Sequence, residues 1–133
     1  MMPFEISSQQ RSLLNTLFLA VQSHQKQQLP GRDRFLLLTL ITACKAGYPI
    51  IADRCREFIV QDSPHHLLTQ YANAIEAMQS EEFQIFSKQI QRFCSNERAE
   101  LLAQGLEFQP EQELHQHDHD VQQLADSLLN SMQ

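Results

Sequence analysis

An all-α fold is predicted, with about seven short antiparallel helices forming an α-hairpin array (solenoid-like) or a compact helical bundle. Three observations predict it. Apolar residues recur at the three- and four-residue spacing of a helix face along most of the chain. Only three Gly and five Pro occur, too few for the many turns of a sandwich or barrel. Hydrophobic residues make up 42% of the 133 residues, which supports a genuine core in one domain.

The first helix spans about Ser8 to Gln27, with Leu14, Leu17, Phe18 and Val21 as its stripe and Pro30-Gly31 as its break. The second, about Arg32 to Ala46, is apolar on most sides through Phe35, Leu36, Leu37, Leu38, Leu40 and Ile41. A helix of that kind is normally covered by neighbours. Gly47 stands where a left-handed residue ends a helix, and Pro49 suits the first turn of the third helix, which runs to about Gln61. Its buried stripe is Ile51, Cys55, Phe58 and Ile59.

Ser63 and Pro64 read as cap and first residue of a fourth helix carrying Leu68, Tyr71, Ile75 and Met78. Ser80 followed by Glu81 and Glu82 opens the fifth, with acids at the positive end of its dipole and Phe83, Phe86, Ile90 and Phe93 as its stripe. A short sixth helix runs from Ser95 to near Gly105. Pro110 introduces the seventh, with Leu114, Val121, Leu124, Ala125, Leu128, Leu129 and Met132 in an approximately heptad rhythm.

Helix starts at Arg32, Pro64 and Glu97 recur at intervals of 32 and 33 residues, close to the helix-turn-helix length of tetratricopeptide-like arrays. The Trp-Leu-Gly-Tyr set of such repeats is missing, so the likeness is one of spacing. Charge divides the chain further. Residues 1–98 hold all ten Lys and Arg against nine acids, whereas residues 99–133 hold seven acids and no base. Two units are therefore expected: a helical-hairpin core over 1–109, and an acidic amphipathic helix over 110–133 docked on that core or on a second subunit.

Cys44, Cys55 and Cys94 are odd in number, form no CxxC, and each follows an apolar helical position, which predicts buried reduced thiols. Met1-Met2-Pro3-Phe4-Glu5 lacks the basic region and apolar run of a secretory signal. The longest apolar stretch, Phe35 to Cys44, falls well short of the ~20 residues of a membrane span. A cytoplasmic protein with no membrane association is expected.

The run His115-Gln116-His117-Asp118-His119-Asp120 is the conspicuous chemical feature. On a helix, His115 and His119 share a face with Glu111 one turn earlier, and two imidazoles with a carboxylate suit zinc, nickel or copper. The order of the run differs from the His-x-His-x-Asp-His of metallo-hydrolases, and Gln116 stands where a zincin carries its catalytic Glu. His65 and His66 are adjacent and diverge by ~100° on a helix, so they share no ligand easily. A polar, solvated helix start accounts for both features, and no cofactor is expected beyond zinc or nickel at the run.

The second and third helices also admit a DNA-binding helix-turn-helix, with Arg54 and Arg56 on the recognition helix and Arg32 and Arg34 toward phosphates. Asp53 falls where that motif needs an apolar residue, Pro49 removes an amide donor, and the chain is acidic, so nucleic acid is not the expected partner. A phosphate-cradling Gly loop and a GxSxG are both missing, which disfavours catalysis. The expectation is a non-catalytic protein–protein interaction or oligomerisation module, binding a protein or forming a homodimer through helix 111–132. Metal binding at residues 115–120 is the first alternative and DNA binding the second.

Overall fold

The computed structural model describes residues 5–133; residues 1–4, where a basic leader would begin, lie outside this part. All regular structure in the described residues is helical. The elements are α1 (Ser8–Gln25), α2 (Leu29–Ala46), α3 (Pro49–Asp62), a 3-10 turn (Leu67–Gln70), α4 (Ala74–Met78), α5 (Glu81–Phe93), α6 (Asn96–Gly105), α7 (Pro110–His117) and α8 (Val121–Asn130).

α1 starts from a reciprocal cap. The Ser7 hydroxyl accepts from the Gln10 amide at 3.1 Å, and the Gln10 side chain accepts from the Ser7 amide at 2.8 Å. It ends earlier than Pro30 alone implies. Gln27 turns left-handed (φ 58°), and the Gln28 amide reaches back to the Ser23 carbonyl at 2.8 Å. Pro30 then lies inside the first turn of α2, where helical amides have no partner to lose. Gly47 (φ 87°) closes α2 as its position implied, with the Tyr48 amide on the Ala43 carbonyl at 2.8 Å.

Two expected helices are broken. Pro64 starts no helix, because α3 claims Ser63: its amide still donates to the Ile59 carbonyl at 2.9 Å. Side chains of α3 then bond backbone groups that a continuous fourth helix would pair internally. Arg56 donates to the Tyr71 carbonyl at 2.6 Å, and Asp53 accepts from the Ala74 amide at 2.8 Å. His66 caps the 3-10 turn and Asn73 caps α4, local bonds that compete with helix. The expected seventh helix divides at Asp118, which is left-handed (φ 50°), while the His119 amide donates to the Leu114 carbonyl at 3.0 Å. Asp120 and Gln123 then form a second reciprocal cap and start α8 afresh.

The helices do not stack only on their sequence neighbours, as solenoid repeats do. α1 lies at the centre. It packs most extensively on α2 and also takes α6, α7 and α8, while α2 takes α3, α4 and α5. One cluster joins Leu13, Leu14 and Leu17 of α1, Leu36 and Leu40 of α2, Ile51 and Ile59 of α3, and Phe83 of α5. Leu114, Val121, Leu124, Ala125 and Leu129 of α7 and α8 belong to the same cluster. The acidic C-terminal residues thus share their apolar core with residues 8–90. At the α1–α2 contact the buried Thr16 and Thr39 hydroxyls meet at 2.8 Å, and Thr39 also reaches the Phe35 carbonyl at 2.8 Å. Both hydroxyls are satisfied without water.

Candidate interaction surface

The His-rich run does not present the face that its spacing promised. α7 ends at His117, and left-handed Asp118 takes His119 off the helical face that Glu111 and His115 share. Glu111 is already engaged: its Oε1 lies 2.8 Å from Nε and 2.6 Å from an Nη of Arg11 on α1. His117 pairs with Glu113 at 3.5 Å, and its ring lies 5.8 Å from that of His119. Among the described residues no group of three His, Cys, Asp or Glu is placed to hold a metal ion. His119 instead lines an open cavity of mixed character with Glu5, Ile6, Leu114, Asp118, Asp120 and Val121.

The arginines that a DNA-reading helix would need face inward or sideways. Arg32 is buried, with Asp62 at 2.6 Å, Asp33 at 2.9 Å and Nδ1 of His24 at 3.2 Å, so it joins α1, α2 and α3. Arg54 is held by Asp126 at 3.2 Å and Asn130 at 2.6 Å, which fastens α3 to α8. Arg56 bonds the Tyr71 carbonyl. Arg34 alone of the four points away from these networks, its guanidinium 5.0 Å from the Phe93 ring centre. The thiols are poorly suited to nucleophilic work. Burial pushes Cys44 up to about 11 and raises Cys55 and Cys94 as well, and all three are free.

A different surface stands out. α6 turns Ala99 and Ala103, four residues apart on one face and fully buried, toward the core, and the small side chains let it approach α1 closely. Phe108, just beyond α6, stacks on Phe18 of α1 with ring centres 4.1 Å apart and anchors the end of the helix. The leucines of α6 are consequently left outside: Leu101 is 69% exposed, Leu102 41% and Leu106 46%. They border an open groove of about 420 Å³ with Leu19, Gln22, Ser23, Lys26, Gln28 and Phe35 from α1 and the start of α2. Lys26 is the sole charged side chain lining it.

With Ala99 and Ala103 on the buried face, Leu101 falls on the opposite side of α6 and Leu102 at the edge of the buried face, in line with their 69% and 41% exposure. On the far side of the bundle Gln84 and Asn73 serve local structure: Gln84 bonds the Met78 carbonyl and Asn73 caps α4.

Fold and surface together define a small helical bundle with an apolar groove on one flank. Comparison with family models, curated proteins and solved structures finds no match to the chain. No helix in the described residues is long and apolar enough to cross a membrane.

Proposed function

We propose that the chain is a non-catalytic protein–protein interaction module whose docking surface is the groove between α1, α2 and α6. The observation that carries this reading is the set of three exposed leucines on α6 and its C-cap, bordering a concavity with Leu19 and Phe35. Scattered apolar side chains are normal on a protein surface, whereas a contiguous patch beside a groove is the usual mark of a binding face. The C-terminal helices give less support to an interface of their own, because their apolar residues already pack on α1 and α3.

A photo-cross-linking experiment tests this. A benzophenone amino acid is placed at Leu101, at Leu106, or at the exposed Gln112 of α7, and each protein is irradiated in an extract of its source. An adduct with one mass-spectrometrically identified protein is expected from Leu101 and Leu106 and not from Gln112. Equal adducts from all three positions, or none from either leucine, would overturn the assignment.

A further inference from the structure

Resting on that reading, we propose that the occupant of the groove is an acidic amphipathic helix. Its apolar stripe would seat on Leu101, Leu102, Leu106 and Phe35, with its carboxylates facing Lys26, Arg34 and Arg98.

Two observations select this partner. The first is charge. Arg11, Arg32 and Arg54 are each paired to a carboxylate, whereas Lys26, Arg34 and Arg98 enter no ion pair among the described residues. Of the seven cations that enter no ion pair among the described residues, these three lie in or next to the groove. Lys26 lines it directly. Arg34 lies over Phe93, which is in edge contact with Phe35 at 5.5 Å. Arg98 stands four residues, one helical turn, before Leu102. The acids on α6 are Glu97, in the first turn at the positive end of the helix dipole, and Glu100, which acts on Arg11 of α1, while Glu107 lies beyond its C-terminal end; none of the three lines the groove. An apolar concavity lined by one cation and no carboxylate, with two more cations beside its lining residues, favours carboxylates flanking an apolar stripe and repels a basic ligand.

The second observation concerns the backbone. The walls are helices, and no strand edge exists among the described residues. An extended peptide laid here would find no ladder for its amides and carbonyls, whereas a helix satisfies its own and presents only side chains.

Three labelled synthetic helices of about 16 residues, long enough to be partly helical alone, share one leucine stripe and carry Glu, Gln or Lys at the flanking positions. Fluorescence anisotropy measures their binding to the full chain at low and moderate salt. The Glu peptide should bind at least about tenfold more tightly than the Lys peptide, with the preference shrinking as salt rises. The doubly substituted Lys26→Glu, Arg98→Glu protein should reverse the order, and Leu102→Ser should weaken every peptide; circular dichroism establishes that both variants stay folded. If the Lys peptide binds as well as the Glu peptide and Leu102→Ser weakens both, the acidic partner is refuted while the docking surface stands. If Leu102→Ser changes no peptide's affinity, the groove itself is refuted. A concentration-dependent dimer abolished by Leu102→Ser would make the occupant a second copy of the chain and overturn the acidic-helix proposal.

Discussion

Leu129 of α8 is fully buried, in the cluster that includes Leu13, Leu14 and Leu17 of α1 and Ile51 and Ile59 of α3. Leu129→Ala therefore removes methyl groups from the centre of the bundle and leaves a cavity that helices on several sides cannot all collapse into. Substitutions of this kind cost about 2–5 kcal/mol, and with α1, α2 and α3 fixed by one another the expected loss is about 3 kcal/mol. For a chain of this length the unfolding entropy is about 0.28 kcal/mol/K, so the melting midpoint should fall by about 11 °C. Leu101→Ala, at a side chain 69% exposed, should stay within about 0.5 kcal/mol of the parent.

Thermal melts followed by far-ultraviolet circular dichroism, repeated over about a hundredfold range of protein concentration, supply the measurement. The midpoints should not move with concentration, since α8 covers α1 and α3 of its own chain. A Leu129→Ala loss below about 1 kcal/mol would refute the packing described for α8. A midpoint that climbs with concentration would show α8 stabilised by a second subunit instead.

Three further outcomes are expected. Asp118→Ala should destabilise by about 1 kcal/mol and Asp118→Gly should be neutral or stabilising, because φ at this residue is 50°; in a single continuous helix the order would invert, since Ala is the better helix former, and chemical denaturation distinguishes the two. Arg32→Ala should cost about 2–3 kcal/mol, less than the 3–5 of a fully enclosed pair, because the orphaned Asp62 side chain is 44% exposed and regains water; Arg32→Met, which keeps the apolar stem, should lose less, and equal losses would refute a role for side-chain packing. His66 is held below the ordinary histidine value of 6.5 mainly by burial, against an opposing pull from Asp33, and its neutral Nδ1 accepts from the Leu68 amide at 3.1 Å. A base depressed in the folded state contributes stability that is complete above 6.5 and is lost as pH falls through its folded value. The urea midpoint should therefore drop on acidification more steeply for the parent than for His66→Asn, which keeps a capping acceptor without titrating; parallel curves would refute the assignment.

What the sequence disclosed and what it concealed divide along one physical line. Features set by neighbouring residues were legible: the Gly47-Pro49 punctuation between α2 and α3, the Ser80 cap with its two acids, and the Phe83, Phe86 and Ile90 part of the α5 stripe all arise from interactions spanning about one turn. The expected fourth member of that stripe, Phe93, is 40% exposed. The failures occur where a distant side chain competes for a local backbone group. The stretch from Ser63 to Met78 has the apolar spacing of a helix, yet Asp53 and Arg56 reach across from α3 and bind the Ala74 amide and the Tyr71 carbonyl. Once those groups have external partners, continuing the helix gains nothing for them, and the local preferences of His66 and Asn73 decide the path. The candidate metal residues are kept apart for a related reason. Spacing four apart implies a shared face only while the helix persists, and the left-handed turn at Asp118 ends it one residue before His119. The groove was hidden differently. Which face of α6 is buried depends on α1 being there to receive Ala99 and Ala103, a contact between residues more than seventy positions apart in the chain. Apolar periodicity reports that a helix has an inside; only the packing partner says which leucines are left over.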